Sequence, residues 1–436
     1  MLHDDLKKLN RYPFHMPGHK RSDDFGIAGS DIDITEIDGF DNLHCPNGSI
    51  LEIEEKLSQL YESSYSFMHV NGSTVGILAS IFAVTERGDK IIIARNCHKS
   101  VYNACFLREL DVVYIEPEFD CEDGYYTEIN QETVDRAITE NPDAKALVIT
   151  SPTYEGNVSN IISDIPLIID AAHGAHFGFG NFPKYPNGDI VISSLHKTLP
   201  SLTQTAALNV FNKNYTDEIR KYLAIFETSS PSYILMNSVS KCVEFLLNSE
   251  KAFAEYEKNL AEFYKTRLNN LQFKIGDDRG KIVVSTAHCD IRGTELADIL
   301  RNEFAIECEM ASLNYVILMT SVADKAEAYG MLANALKTVD ERLTKRTAKP
   351  IKKLSIPKNA CKISDVKNTA PVPLSEATGK ICGEFVYAYP PDIPIIVPGE
   401  QISSAIIENI CEMLESGINI ISDGNLLPRF ILTKAE

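Results

Sequence analysis

Lys197 follows a short apolar run, Ile190-Val191-Ile192, that is typical of a buried strand. Lysine is rarely buried without a partner, because desolvation disfavours the ammonium ion. Desolvation and neighbouring groups can also turn it into a nucleophilic amine, which forms a Schiff base with an aldehyde. The surrounding Ser194 and His196 could hold a phosphate. These groups suit pyridoxal phosphate (PLP), but this stretch alone leaves a plain surface lysine equally open.

Two other polar groups come directly after predicted strands. Asn71-Gly72-Ser73-Thr74 separates a strand from a helix, where backbone amides and the hydroxyls of Ser73 and Thr74 can bind a phosphate. Plain helix capping is the alternative. His98, in Asn96-Cys97-His98-Lys99-Ser100, could stack on a flat aromatic cofactor, or it could be a capping or core histidine.

Asp170 stands at the end of the apolar strand predicted over residues 166–170. A carboxylate that is nearly buried there needs a cationic partner, unless it caps the next turn. A pyridinium N–H is such a partner, and the pairing keeps a PLP ring electron-withdrawing. The chain order of phosphate turn, histidine, strand-end aspartate and Ser-x-His-Lys therefore provides every part of a PLP site.

The elements that position these residues alternate between strands and helices. β-Branched runs without clean polar alternation indicate a mostly parallel sheet covered on both faces, an α/β fold whose ligands bind at the carboxyl ends of the strands. After residue 226 the pattern predicts one long helix over 234–271 and then a smaller α/β domain. The predicted strands of the first part are 66–70, 90–94, 111–115, 146–150, 166–170, 189–193 and 206–211.

Composition narrows the class of protein. The 436 residues include 42 Lys and Arg against 61 Asp and Glu, a formal net charge of −19, which argues against nucleic-acid and anionic-membrane partners. The ten cysteines form no Cys-x-x-Cys pair, so no metal site is expected. In a chain of this size we expect them to be reduced cytosolic thiols. Neither a signal peptide nor a membrane-spanning run is evident, so we expect a cytoplasmic protein.

The motifs together resemble the Orn/Lys/Arg decarboxylase family, in its short bacterial form with the aminotransferase-like fold. The resemblance extends over nearly the whole chain. The matching stretches are residues 15–20, 35–44, 70–74, 95–101, 170–176, 196–200, 229–233, 375–380 and 389–394.

The resemblance implies roles for individual residues. Lys197 would bind PLP covalently, Asp170 would pair with the pyridine nitrogen, His98 would stack on the ring, and His173 would lie beside the cofactor. His196 would be a further catalytic residue, since it or Lys197 could return a proton to the substrate. The family builds its site at a homodimer interface, which implies that Ser229 or Ser230 reaches the phosphate of a neighbouring subunit. The residues implied to hold the phosphate within the chain are Ser73, Thr74, Ser194 and His196, and the candidates for substrate binding are His19 and Glu384.

Some positions depart from the family pattern. The loop between Asn157 and Pro166 is short, Ala171 replaces a frequent acidic residue, Asp392 replaces the usual glycine, and Thr203-Gln204-Thr205 is unusual. These departures concern substrate preference more than PLP binding. The expected organisation is an N-terminal arm (1–50), a PLP-binding major domain (51–245), a small α/β domain (246–345), and a linker with the C-terminal domain (346–436).

The resemblance implies decarboxylation of arginine, lysine or ornithine to the amine and CO2, which would feed polyamine metabolism. An aminotransferase or another PLP lyase is the first alternative, because the lysine and aspartate are shared across such enzymes. A PLP-binding protein without turnover is the second.

Overall fold

The computed structural model describes residues 2–435 and divides into two compact units. The first unit comprises the chain up to Val84 together with Pro166–Glu255, and the second comprises Thr85–Ile165 together with the chain from Tyr256 onward. Each unit therefore contains two separate segments of the sequence. No helix within residues 2–435 is long and apolar enough to span a membrane.

The first segment begins with an arm that contains one short α-helix, two 3-10 helices (Asp23–Phe25 and Ser30–Ile32) and many turns. Leu2 and Leu6 are buried, and the carboxylate of Asp41 accepts the N–H groups of Gly48 and Ile50, both at 2.8 Å. The arm is thus attached to the unit at the start of its second helix. The elements up to Val84 are α1 (Leu2–Lys8), α2 (Ser49–Tyr61), β1 (Tyr65–His69) and α3 (Gly72–Val84).

The second segment alternates strands and helices as predicted. Its elements are β2 (Lys90–Ala94), α4 (Lys99–Arg108), β3 (Asp111–Ile115), β4 (Phe119–Asp120), β5 (Tyr125–Tyr126), α5 (Gln131–Glu140) and β6 (Leu147–Thr150). The chain from 151 to 166 contains neither helix nor strand.

The third segment returns to the first unit. Its elements are β7 (Leu167–Asp170), β8 (Ile190–Ser193), α6 (Leu195–Thr198), β9 (Ala206–Val210), α7 (Thr216–Phe226), α8 (Tyr233–Leu246) and α9 (Glu250–Phe263), of which α9 runs on into the fourth segment.

The fourth segment holds the smaller sheets. Its elements are β10 (Gln272–Lys274), β11 (Lys281–Ser285), α10 (Gly293–Phe304), β12 (Met310–Ala311), β13 (Tyr315–Met319), α11 (Ala326–Asp340), β14 (Thr369–Pro373), β15 (Val386–Ala388), β16 (Ile393–Ile396), α12 (Ser404–Glu415), β17 (Ile420–Ser422) and β18 (Phe430–Lys434).

In the first unit, the carboxyl ends of three strands lie at the same edge of the sheet. β1 and β8 both pair antiparallel with β9, and β7 pairs parallel with β8. Hence β1, β7 and β8 run in the same direction and end at the same edge, where ligands of α/β sheets bind. The strands are almost fully buried, and Ile168, Ile190 and Ile192 are at 0% exposure, which explains their uninterrupted apolar sequence.

In the second unit, β2 pairs parallel with β3 and with β6. The order β10-β11-β13-β12 forms a separate antiparallel sheet. Near the C-terminus, β14 pairs with β18, and β15 lies between β16 and β17. Helix α12 contributes Ile406 and Ile410 to a local core beside these strands. The predicted α/β class with mostly parallel strands is confirmed.

One structural prediction was wrong. The helix predicted over 234–271 is two helices, because the backbone breaks at Asn248-Ser249, where the Ser249 hydroxyl donates to the Leu246 carbonyl instead of extending α8. The predicted linker, which begins at residue 346, makes specific hydrogen bonds to other parts of its unit. Lys353 donates to the Pro117 carbonyl at 2.9 Å, and Lys362 donates to the Glu109 carbonyl at 3.2 Å.

Candidate active site

The predicted residues of the first unit follow its three parallel strand ends. Ser73 lies in the first turn of α3, just after β1, and Asp170 is the last residue of β7. Lys197 lies on α6, which begins after β8, and the register pairs Asp170 with Ile192 of that strand. Local sequence contributes to this placement, since each apolar strand is followed within three residues by Gly or Ser, or ends in Asp or Ser.

Lys197 and His173 contact each other. The Nζ atom of Lys197 lies 3.1 Å from Nε2 of His173, and His173 is only 6% exposed. Neutral imidazole offers one ring nitrogen as an acceptor, so Nε2 can take a hydrogen bond from the lysine nitrogen. This contact can position the amine and can pass a proton between the two atoms.

Ser73 and Ser194, two of the four residues predicted to hold a phosphate within the chain, contact each other. The Ser194 hydroxyl donates to the Ser73 hydroxyl at 3.0 Å, although 121 residues separate them. Gly72 has φ +74°, and nothing lies within 4 Å of where a Cβ would stand, so the space before the helix is open. The N–H groups of Ser73 and Thr74 belong to the first helical turn, where a helix offers no acceptor of its own. Hydroxyls, amides and open space suit an anion.

Asp170 is 3% exposed, and its Oδ1 accepts the N–H of Ala172 at 3.1 Å. A carboxylate buried to this degree at a strand end is stabilised by a cationic or N–H donor. A pyridinium N–H is a donor of this kind, so the chemistry of Asp170 fits the predicted role.

His196 is oriented by a backbone carbonyl. Its Nδ1 lies 2.9 Å from the Thr205 oxygen and therefore carries the proton that it donates there. Burial, together with the nearby Lys197, lowers the pKa of His196. In its neutral form Nε2 is an acceptor, so donation from Nε2 to a phosphate requires a protonated ring.

Several residues that support the phosphate turn were missed from sequence. The Gly72 N–H donates to the Gln204 carbonyl at 2.8 Å, and Gln204 has φ +79°. The Val70 N–H donates to Glu227 at 2.7 Å. Burial raises the pKa of Glu227 to about 7 and lowers the pKa of His69, at the end of β1, to about 4. The unusual Gln204 was noticed as a departure, but nothing in the sequence indicated which carbonyl would meet the turn.

Other predicted residues of the first unit lie farther along the chain. Ser229 and Ser230 are exposed on the loop after α7, whose Thr228 N–H donates to the Asn71 side chain at 3.2 Å. His19 lies in the N-terminal arm, where its Nε2 is 3.0 Å from Asp33 Oδ2. The roles predicted for these three residues stay predictions.

Two predicted residues belong to the second unit. His98 is the N-cap of α4, and its Nδ1 accepts the Ser100 N–H at 3.1 Å. Glu384 is 1% exposed, and its two carboxylate oxygens accept the N–H groups of Gly424 and Leu432, each at 2.6 Å. Glu384 thus stabilises its own domain, and its predicted contact with a substrate cation stays a prediction.

The residues of the first unit fit PLP chemically. Lys197 offers an amine for the aldehyde, and Asp170 offers a buried carboxylate for the pyridine nitrogen. A phosphate could bind at the hydroxyls of Ser73 and Ser194 and the open turn at Gly72. These groups all follow strand ends at one edge of one sheet.

Sequence comparison identifies the family that these motifs belong to. Residues 4–276 match the major domain of Orn/Lys/Arg decarboxylases, and residues 341–420 match the C-terminal domain of the same family. An arginine decarboxylase from Bacillus subtilis (strain 168) is 31% identical over 462 aligned positions, which cover 96% of this chain and 94% of the relative.

Structural comparison supports the same fold. The lysine decarboxylase LdcF of Francisella novicida superposes with a TM-score of 0.79 at 17% identity, covering all of this chain and 81% of that one. The ureidoglycine-glyoxylate aminotransferase of Bacillus subtilis superposes with a TM-score of 0.53 at 17% identity, covering 67% of this chain and 84% of that one. The predicted aminotransferase-like fold is therefore confirmed.

Proposed function

The chain belongs to the Orn/Lys/Arg decarboxylase family, and we propose that it catalyses the PLP-dependent decarboxylation of a basic amino acid, arginine first. The observation that carries the proposal is the contact between Lys197 and His173 at the sheet edge that also holds Asp170 and the Ser73–Ser194 pair. The similarity to an arginine decarboxylase along nearly the whole chain supports arginine as the substrate. The amine product would serve as a polyamine precursor.

Each residue has a definite task in this proposal. Lys197 Nζ would hold the cofactor covalently and would return a proton to the substrate carbon that lost CO2. His173 Nε2 holds the proton that Nζ exchanges. Bound PLP supplies an electron-withdrawing ring for the carboxyl-bearing carbon, and Asp170 keeps the ring nitrogen protonated. Ser73 and Ser194 hold the phosphate and so orient the ring.

The proposal also includes the sequence predictions about the site's surroundings. His98 would stack on the ring, Thr74 and His196 would assist at the phosphate, and His19 and Glu384 would serve the distal cation of the substrate. A homodimer places Ser229 or Ser230 at the phosphate of the neighbouring subunit, and a cytoplasmic location suits the ten free cysteines. Light scattering on a sizing column tests the dimer, and a monomer that retains full activity would contradict it.

A product assay tests the reaction itself. The purified chain is supplied with PLP and separately with arginine, lysine and ornithine, and both CO2 and the organic product are measured. We expect CO2 and the amine, with the highest kcat/KM for arginine. Lys197→Ala should abolish both, whereas Lys213→Ala, which changes an exposed lysine of the same unit, should not. In a parallel reaction that contains a 2-oxo acid as amino acceptor, a keto acid product without CO2 would show an aminotransferase. A PLP absorbance band without any product would show a binding protein.

A further inference from the structure

Asp392 adopts a backbone conformation that favours glycine. Its φ is +65°, in the left-handed region that non-glycine residues rarely adopt, although aspartate tolerates the region better than most. The Asp392 carbonyl accepts the Lys99 N–H at 3.0 Å, and its own N–H donates to the Ala388 carbonyl at 3.0 Å. These bonds hold the turn between β15 and β16 against the start of α4, so the carboxylate is carried to a fixed place.

The residue that this carboxylate faces is His98. His98 Nδ1 accepts the Ser100 N–H at 3.1 Å and lies 2.8 Å from the Ser100 hydroxyl. Because Nδ1 is an acceptor, the proton of the neutral ring belongs on Nε2. Nε2 lies 3.7 Å from Oδ2 of Asp392, the separation of an ion pair. Ser100 therefore constrains Nδ1 of His98, and Asp392 faces Nε2.

The neighbouring Lys99 is engaged with other groups, so the Asp392 carboxylate faces His98. Lys99 follows His98 in the chain, but its Nζ donates to the Tyr387 hydroxyl at 2.8 Å and lies 3.7 Å from Asp423. The same Nζ stands 4.1 Å from the centre of the Tyr387 ring. The nearby lysine thus interacts with a second carboxylate and an aromatic ring.

We propose that Asp392 is a positioning residue that fixes the tautomer and the ring plane of His98, and through His98 the environment of the bound cofactor. The second half rests on the proposed function, in which His98 stacks on the PLP ring. The carboxylate favours the tautomer that carries the proton on Nε2, because its Oδ2 faces that nitrogen at 3.7 Å. Asp392 itself need not touch substrate or cofactor for this effect.

Imidazole nitrogen NMR tests the pairing without cofactor. In PLP-free protein labelled with ¹⁵N-histidine, the His98 signals are assigned by their loss in His98→Gln. We expect the Nε2–H tautomer in the unchanged chain. Asp392→Asn and Asp392→Gly should both increase the Nδ1–H population of His98, and Asp423→Asn should not. Asp392→Gly also relieves the positive φ, so an undiminished melting temperature excludes misfolding as the cause. His98 signals that are unaltered in both Asp392 variants would overturn the proposal.

The effect on the cofactor is tested by a double-mutant cycle. We expect Asp392→Gly to weaken PLP binding roughly threefold to tenfold and to reduce the visible circular dichroism of bound PLP. In a His98→Gln background the same change should have no further effect. An equal loss in both backgrounds would overturn an action through His98. If the unchanged chain binds no PLP, the proposed function fails, and the NMR experiment alone decides whether Asp392 fixes His98.

Discussion

Nζ of Lys197 lies 3.1 Å from Nε2 of His173, the contact that joins the end of β7 to the helix after β8. We predict that His173→Ala slows the reaction of PLP with Lys197 roughly tenfold to hundredfold, because the amine loses the acceptor that positions it. Stopped-flow absorbance after PLP is added to the apo-protein measures this rate. The rate should fall less in His173→Gln, which keeps a hydrogen-bond acceptor. An unchanged rate in His173→Ala would contradict the prediction.

Ser194→Ala should weaken PLP binding without unfolding the chain. Losing one hydroxyl from the Ser73–Ser194 pair should raise the Kd for PLP roughly threefold to tenfold, as expected for one hydrogen bond. The Kd is measured by titrating apo-protein with PLP. Ser58→Ala is the matched control, since the Ser58 hydroxyl donates within helix α2 to the Glu54 carbonyl. Equal Kd values for the Ser194 and Ser58 variants would exclude a phosphate role for Ser194.

The sequence predicted this site well where short motifs follow apolar strands. Strands at 90–94 and 111–115 have the predicted bounds, because both contain runs of β-branched residues, although only the first of the two is buried. The same rule located Asp170 and Lys197 at strand ends. Predictions that depend on one local pattern therefore succeeded.

Contacts between distant segments could not be predicted in this way. Nothing local to Thr205 indicates that its carbonyl meets His196, and nothing local to Glu227 indicates that it binds the Val70 N–H. The long helix predicted after residue 234 failed because apolar periodicity continues across Asn248-Ser249, where side-chain hydrogen bonding ends the helix.

Gly76→Ala should destabilise the helix that carries the phosphate turn. A Cβ at residue 76 would stand 3.0 Å from both His69 Nε2 and Ile192 Cγ2, and such overpacking costs roughly 1–3 kcal/mol. Gly330→Ala, within α11, is the control, because nothing lies within 4 Å of its Cβ position and alanine favours a helix. We expect a lower melting temperature for Gly76→Ala and an unchanged or higher one for Gly330→Ala. The reverse order would contradict the packing around His69.

The buried carboxyl group of Glu54 should make stability fall as pH rises. Burial raises the pKa of Glu54 to about 8 from an ordinary value of 4.5, although Tyr65 donates to it at 2.7 Å. Between these values the folded chain keeps a proton that the unfolded chain loses, so the stability falls from about pH 5 to pH 8. The loss is roughly 2–4 kcal/mol at this residue.

Replacing Glu54 by glutamine tests this linkage. Glu54→Gln should flatten the decline of the urea midpoint between pH 5 and pH 8. A remaining slope is expected from Glu227, since burial also raises the pKa of this carboxyl, to about 7. Glu55→Gln, at the adjacent exposed position of α2, should leave the wild-type profile unaltered. A Glu54→Gln profile parallel to that of the unchanged chain would show that Glu54 does not titrate in this range.

Glu400→Ala should loosen the C-terminal part of the second unit. Glu400 is at 0% exposure, and its Oε2 lies 3.3 Å from the Arg95 guanidinium and accepts the Val397 N–H at 2.9 Å. Removing one partner of a buried pair leaves the other charge unpaired, at a cost of roughly 3–5 kcal/mol. Limited proteolysis and urea unfolding should both show earlier opening of the chain beyond residue 358. Glu307→Ala, which breaks an exposed pair with Arg301, should show no measurable change. Arg95 precedes His98 by three residues on the same loop, so Glu400→Ala should also alter the His98 imidazole signals. If both these signals and the proteolysis pattern are unaltered, the Glu400–Arg95 pair does not hold this loop.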